Sequence, residues 1–351
     1  MVQITTVIPT YRRPKLLKRA ILSVLRQSYK DLQVHVYDNA SDDTTEQVVA
    51  DLASADSRVK YHRHRENIGL LRNCIHGIEQ VETPYFHVLC DDDLIFPHFY
   101  ELAVKTFDRR PKAMLFAGAT IRLNVIRHTA EIPLRRWKLE YYQAPEGLCE
   151  ILHRGHPDWT GILFRRSPEA IASLDLAMGN WLDVDLTCRY AALYPLAISN
   201  ISCAILVQHE SAFSIIAEEA EPYALSSIWP KWLQLVENID QLPSMKKEDR
   251  DRVRRLILRQ GARHVFFRGC KAAAVGDVRA AENAASILAS CFGSHLRAHL
   301  LDMLAPLSRP PVSFAVKPTV DALRRLRSRS RETILPSDEW QRCSALMAQV
   351  D

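Results

Sequence analysis

Residues 85–93, Tyr85-Phe86-His87-Val88-Leu89-Cys90-Asp91-Asp92-Asp93, carry an apolar run straight into three carboxylates. A short apolar run bounded by a polar cluster reads as a buried strand. Three adjacent anions repel one another, so the turn that follows needs a cation or good hydration. Oxygen donors suit Mg2+ or Mn2+, and a partly coordinated cation can bridge two phosphates. An acidic turn ahead of a helix near Pro97 is the alternative reading of the same residues.

Upstream of this strand, β-rich runs alternate with helical patterns as far as about Phe107. Ile4–Ile8, Gln33–Tyr37 and Val59–His62 read as strands, and Leu16–Leu25, Thr44–Leu52 and Leu70–Ile78 as helices. The alternation predicts βαβ units and an α/β fold with a mainly parallel sheet flanked by helices. Ligands of such sheets bind beyond the C-terminal strand ends. Downstream, Met114–Ile121, Gly161–Phe164 and Ala204–Val207 read as strands and Val184–Leu193 as a helix. Beyond about Ile215 the periodicity becomes helical, over Ile228–Val236, Val253–Phe267 and Ala272–Ala289. The expected division is therefore 1–214, with halves 1–110 and 111–214, and a helical C-terminal domain, 215–351.

The composition is that of a globular protein: 351 residues, 47% hydrophobic and 25% charged, with a net charge of +5. That charge is too small to predict nucleic-acid binding. The N-terminus reads as a buried strand and not as a secretory signal. The apolar stretches Ala191–Val207 and Ala284–Leu307 are interrupted by Pro195, Asn200, His295, Arg297 and Asp302, so neither reads as a membrane span. The eight cysteines show neither a CxxC pair nor a repeated spacing, which argues against a disulfide framework or a structural zinc site. A cytoplasmic protein follows, with peripheral contact at the inner face of the plasma membrane. The basic run Arg324, Arg325, Arg327, Arg329 and Arg331 is the candidate for that contact, a solvated helix face being the plainer reading. The C-terminal helices are alternatively a homo-oligomer interface or a glycan contact.

Three further segments follow predicted strands or open helices. Val7-Ile8-Pro9-Thr10-Tyr11-Arg12-Arg13 leads to a helix starting near Pro14, leaving Thr10 and Tyr11 at the strand edge, where a base can stack. In Val36-Tyr37-Asp38-Asn39-Ala40-Ser41-Asp42-Asp43, Asp38 can accept from a pyrimidine imide or a ribose hydroxyl, while Ser41, Asp42 or Asp43 caps the next helix. In Asn67-Ile68-Gly69-Leu70-Leu71-Arg72-Asn73, Asn67 can cap, Gly69 permits close backbone approach, and Arg72 can meet a phosphate or an active-site carboxylate.

Together, in this order, VIPTYRR, VYDNASDD, NIGLLRN and CDDD resemble the nucleotide-binding half of glycosyltransferase family 2, enzymes of the GT-A fold. The resemblance covers about the first two hundred residues. It implies a nucleotide-sugar site formed by Pro9, Thr10, Tyr11, Arg13, Asp38, Asn67, Gly69, Arg72, Asp91 and Asp92. It also implies that Asp91, Asp92 and Asp93 serve as the DxD-type motif for Mn2+ or Mg2+. Cys90 departs from the aspartate or serine found in many members. Trp159–Arg166 is similar to the family's acceptor-site strand. Leu182-Asp183-Val184-Asp185-Leu186-Thr187-Cys188-Arg189 looks like its Glu-Asp-x-Asp-Leu-x-x-Arg segment, with Leu182 in place of the glutamate. By that resemblance Asp183 is the catalytic base, an N-cap being the structural alternative, and His209 is a metal ligand or diphosphate contact.

The resemblance thus implies an inverting, metal-dependent transferase. It takes a sugar from a nucleoside diphosphate, UDP favoured, and places it on a glycan, lipid-linked or protein acceptor in surface glycan assembly. A noncatalytic nucleotide- or glycan-binding protein and a nucleotidyltransferase are the competing classes. The latter ordinarily needs a glycine-rich phosphate loop, and VIPTYRRP has no glycine.

Overall fold

The computed structural model describes residues 2–126, 128–133, 137, 140–172, 174, 176–210, 225–307, 332–334, 341, 343 and 345. The basic run at 324–331 lies outside them. Two compact units form: Met1–Ala212 with Thr333–Asp351, and Phe213–Glu332.

The first unit is built on the alternation visible in the sequence. β1 (Ile4–Thr10) is buried at all seven positions, as a strand covered on both faces must be. α1 (Pro14–Leu25) begins with proline at its first turn and buries Leu17, Ala20, Ile21 and Val24, the stripe expected of a helix lying on a sheet. β2 (Leu32–Asp38), α2 (Thr45–Ala55), β3 (Val59–Arg63), α3 (Leu70–Glu79) and β4 (Tyr85–Val88) follow. β1 pairs in parallel with β2 and β4, and β2 with β3. Gly77 lets α3 approach the sheet, because a Cβ there would lie 2.5 Å from Val7 Cγ1.

The rest of the sheet is mixed. β5 (Leu94–Ile95), α4 (Phe99–Arg109), β6 (Leu115–Asn124), β7 (Thr129–Pro133), β8 (Tyr141–Tyr142) and α5 (Glu146–Arg154) lead to a 3-10 turn, Trp159–Gly161, and β9 (Ile162–Arg165). Then come α6 (Pro168–Ile171), α7 (Leu182–Leu193), β10 (Leu196–Gln208) and, far along the chain, β11 (Glu332–Ile334). The main path runs β11-β7-β6-β9-β4-β1-β2-β3, with β10 against β5, β6 and β8. β9 lies antiparallel between β4 and β6, ending the parallel part, while β10 runs parallel to β6. β10 extends well before the expected Ala204, because Ala197, Ile198 and the following residues form a bulged ladder that polar Asn200 and Ser202 disguise in the sequence.

The second unit contains α8 (Leu225–Asp240), α9 (Lys247–Ala274), α10 (Val278–Ser290) and α11 (His295–Leu307). The periodic stretch Ala272–Ala289 is not one helix. It breaks at Gly276, whose φ of 85° is left-handed, and restarts where Asp277 accepts from the Ala280 N–H. Small residues dominate its core: Ala262, Ala284, Ala285 and Ala298 pack with Val265, Leu288 and Leu301. Among the described residues, no helix is long and apolar enough to cross a membrane.

Candidate active site

Strand register places the sequence motifs side by side. Thr10 ends β1 directly beside Asp38 at the end of β2, which lies beside Arg63 at the end of β3. Leu89 N–H donates to the Val7 carbonyl, so β4 continues along β1 and delivers the acidic turn next to Thr10. The turns after β1 and β2 each pass through left-handed backbone at a residue bearing a Cβ, with φ of 55° at Arg12 and 62° at Ala40. Such conformations persist only where surrounding contacts over-determine them. Here Arg12 N–H donates to Ser41 Oγ and Asn39 N–H to the Thr10 carbonyl, which ties the two turns together.

Asp38 is fully buried. Its Oδ1 accepts the Ser41 N–H at 3.0 Å and its Oδ2 the Tyr61 hydroxyl at 2.5 Å, with Arg63 Nε 4.0 Å away. Burial, and then the bond to Asp38, holds the Tyr61 phenol protonated. Tyr11 stands half-exposed at the rim with the Arg12 guanidinium 5.0 Å above its ring. Asn67 does not cap α3 directly, since Gly69 is the N-cap, with a left-handed φ of 86°. Asn67 Oδ1 accepts from the Gly69 N–H and from Asn39 Nδ2, bracing the loop after β3 against the loop after β2. Nor does a side chain of Ser41 or Asp42 cap α2: Thr44 is its N-cap, and Asp43 Oδ1 takes the Thr45 N–H.

The three carboxylates of the turn differ in their partners, although Asp91 and Asp92 share Arg13 Nη1. Asp91 accepts from Thr10 Oγ1 at 2.7 Å and from Arg13 Nη1 at 3.2 Å. Burial and the adjacent Asp92 push its pKa up to about 6, against the pull of Arg13 and Thr10. Asp92 takes Arg13 Nη1 at 3.0 Å and His209 Nε2 at 3.1 Å, both on Oδ2. Asp93 turns inward, to Thr160 Oγ1 at 2.5 Å and Val207 N–H at 2.9 Å, and burial raises its pKa well above the usual carboxylate range. Beneath it, His87 Nε2 faces the Thr160 carbonyl at 3.0 Å and therefore carries the proton, while Nδ1 accepts from Tyr100 Oη at 2.8 Å.

Ligand atoms of Cys90, Asp92 and Asp93 lie within 4.8 Å of one another. Each carboxylate oxygen has two acceptor directions, so Asp92 and Asp93 keep capacity beyond their protein donors. This partial shell fits a divalent cation whose remaining ligands are phosphate oxygens and water. Asp91, held by Thr10 and Arg13, is not in that group.

Asp183 sits half-buried in the first turn of α7, whose N-cap is Trp181. Burial raises its pKa, and Asp158 adds to the effect; His156 and the backbone N–H groups of Val184 and Asp183 oppose it. Asp158 also adds to the upward shift at Asp93. Asp158 is itself buried and paired with Arg122 Nη2 at 2.7 Å. Two residues later in α7, Asp185 accepts from Arg189 Nε at 2.8 Å in a fully buried pair, which makes the second half of that motif structural.

The expected residues Pro9, Thr10, Tyr11, Arg13, Asp38, Asp91, Asp92, Asp93 and His209 thus gather at one sheet edge, with Asn67 and Gly69 bracing its rim. Arg72 is exposed on the first turn of α3 and, among the described residues, holds none of the three carboxylates. Sequence reading missed Tyr61, Arg63, Arg122, His156 and Asp158, and placed Thr160 only within the acceptor-site segment. Only Tyr61 and Arg63 carried a signal: alternate residues of a strand beside Asp38 share its face.

Residues 5–169, just under half of the chain, match the model of glycosyl transferase family 2. It is 35% identical over 94 residues to the GalNAc(5)-diNAcBac-PP-undecaprenol beta-1,3-glucosyltransferase of Campylobacter jejuni, a match spanning 26% of this chain and 30% of that protein. It is 29% identical over 160 residues to an uncharacterized glycosyltransferase of Rickettsia conorii, spanning 42% of this chain and 26% of the relative. The chain therefore matches less than a third of the length of these curated relatives. Among solved structures, it superposes on S. aureus TarS 1-349 with a TM-score of 0.57 at 15% identity, covering 92% of this chain and 91% of that one. TarS 1-349 has also been solved in complex with UDP-GlcNAc, with 92% of each chain covered. The fold is GT-A with a helical C-terminal region.

Proposed function

We propose that this protein is a metal-dependent, inverting glycosyltransferase of family 2 that moves a sugar from a nucleoside diphosphate to a hydroxyl acceptor. The observation that supports this reading best is the continuous row of Thr10, Asp38 and the acidic turn across neighbouring strand ends. In this reading residues 1–110 form the donor half and 111–214 the acceptor half, and 215–351 is a separate helical domain.

Asp38, with Tyr61 on one oxygen, accepts from the base imide or a ribose hydroxyl, and Tyr11 at the rim stacks on the base. Pro9, Asn67 and Gly69 shape that pocket, and Arg13 and Arg72 supply positive charge toward the diphosphate. Asp92 and Asp93, with His209 beside Asp92, hold Mn2+ or Mg2+, and Asp91 fixes Thr10 and Arg13. A divalent cation there neutralises the charge that develops on the leaving diphosphate. Asp183 removes the acceptor proton as the acceptor oxygen attacks the anomeric carbon. The new carbon–oxygen bond forms on the face opposite the departing phosphate oxygen, which leaves with the bonding pair, so the anomeric configuration inverts.

UDP is the first donor nucleotide to try, since the base-binding residues resemble those of UDP-using members. The C. jejuni relative, named for a lipid-linked substrate, makes a lipid-linked glycan the first acceptor class to test, with protein and free glycan acceptors behind it. Such an acceptor would bring the protein to the inner face of the plasma membrane in surface polysaccharide assembly.

Calorimetric titration of the full chain with UDP, GDP and ADP, in Mn2+ and then in EDTA, tests the donor site. Binding of one nucleotide that disappears in EDTA is expected. Absence of binding to all three would overturn the donor-site assignment and leave a noncatalytic glycan-binding protein as the reading to pursue.

A further inference from the structure

We propose that the thiol of Cys90 is a ligand of the catalytic cation, so that the metal is held through Cys90, Asp92 and Asp93 rather than through three adjacent carboxylates. This rests on the metal-dependent reading above. The geometric case begins with Asp91. Thr10 donates to one of its oxygens and Arg13 to the other, with Arg13 Nη1 shared with Asp92, and the close group of ligand atoms does not include it. Cys90, Asp92 and Asp93 are left with ligand atoms within 4.8 Å of one another. The exposure of the thiol fits that role. Cys90 is exposed at the strand end, whereas Cys74, Cys149, Cys188, Cys203, Cys270 and Cys343 are buried and Cys291 is half-buried. Arg13 Nη1 and His209 Nε2 lie against Asp92 beside this group.

A donor set of one sulfur and two carboxylates has a chemical consequence. Carboxylates alone suit Mg2+ and Mn2+, while thiolate favours softer ions. The site therefore ranks Co2+, Zn2+ and Cd2+ above Mg2+ in affinity, with Mn2+ between them.

Cobalt provides a readout independent of turnover, because a thiolate bound to Co2+ gives a near-ultraviolet charge-transfer band. The full chain is titrated with Co2+ in the presence of UDP, followed by absorbance and by calorimetry. The band is expected in the wild type and in Cys291→Ser and is absent from Cys90→Ser. Cys90→Ser also binds Cd2+ about tenfold or more weakly, with Mg2+ affinity nearly unchanged. Protection of Cys90 from iodoacetamide by Co2+, read by peptide mass, is the second expected result. Calorimetric Co2+ binding without the band, or a band that survives in Cys90→Ser, overturns the proposal and leaves metal dependence standing. Failure of Co2+ to bind at all, with or without UDP, removes the ligand assignment and metal dependence together.

Discussion

The Tyr61 hydroxyl on β3 donates to Oδ2 of Asp38 on β2 over 2.5 Å. The tyrosine stands beside Val36 in the ladder and reaches diagonally along the sheet to the carboxylate. Asp38 is thereby held in one rotamer, with a bond from each side. Tyr61→Phe keeps the ring packing and removes the bond. The expected result is nucleotide affinity weaker by about tenfold, the order of a lost hydrogen bond to a charged group. A dissociation constant for UDP equal to that of the wild type would show that Asp38 does not touch the nucleotide.

Asp92 and Asp93 are expected to differ although they are neighbours. Asp92→Ala removes a partly exposed carboxylate and abolishes metal-supported nucleotide binding with little change in melting temperature. Asp93→Ala also strands the Thr160 hydroxyl and the Val207 N–H in the interior, and costs about 1–3 kcal/mol of stability for each unmet group. Parallel thermal melts and calorimetry check this; equal melting temperatures for the two variants would contradict the inward role of Asp93.

Asp183→Asn is expected to bind donor nucleotide normally and to lower transfer by about 10²–10⁴-fold, the range for loss of a general base. Burial raises the Asp183 pKa, and only the deprotonated form accepts a proton. The acid limb of the kcat profile therefore lies above the range of an ordinary aspartate. Asp183→Asn turning over as fast as the wild type would eliminate it as the base.

Buried His87 makes stability depend on pH. Burial pushes its pKa down to about 3 from an ordinary value near 6.5, against the opposing bond to the Thr160 carbonyl. Between those values the unfolded chain binds a proton that the folded chain does not. Its contribution is complete above pH 6.5 and is lost as pH falls toward 3, on the order of a few kcal/mol. Asp91 and Asp93, whose pKa values are raised, act in the opposite direction, so comparison with His87→Gln isolates the histidine. Urea titrations of both proteins from pH 7 to pH 4 are expected to show a smaller net loss of stability in His87→Gln, by up to about one proton of linkage.

Much of this was legible in the residues alone. Each βαβ unit announced itself because a helix stripe such as Leu17, Ala20, Ile21 and Val24 and a buried strand such as Ile4–Thr10 are local periodicities. Chemistry at strand ends followed from the topology of open sheets. Asn67 illustrates where that reading stops. It is a good helix cap by type, yet its oxygen holds Gly69 N–H and Asn39 Nδ2, a partner 28 residues earlier that local sequence does not specify. Arg122 and Asp158, 36 residues apart, left no trace at all, since an ion pair has no periodicity.

The sequence by itself determined that a strand ends in three adjacent carboxylates and that three other motif-bearing segments lie near strand ends or helix starts, because strand alternation and helix periodicity are written in neighbouring residues. Only the tertiary structure decided what each carboxylate does. Asp91 meets Thr10 because β4 runs beside β1, and Asp93 meets Thr160 and Val207 because the 3-10 turn before β9 and strand β10 return from 67 and 114 residues away. Three chemically identical side chains in a row cannot encode three different partners. Strand register, which depends on the whole sheet, assigns them.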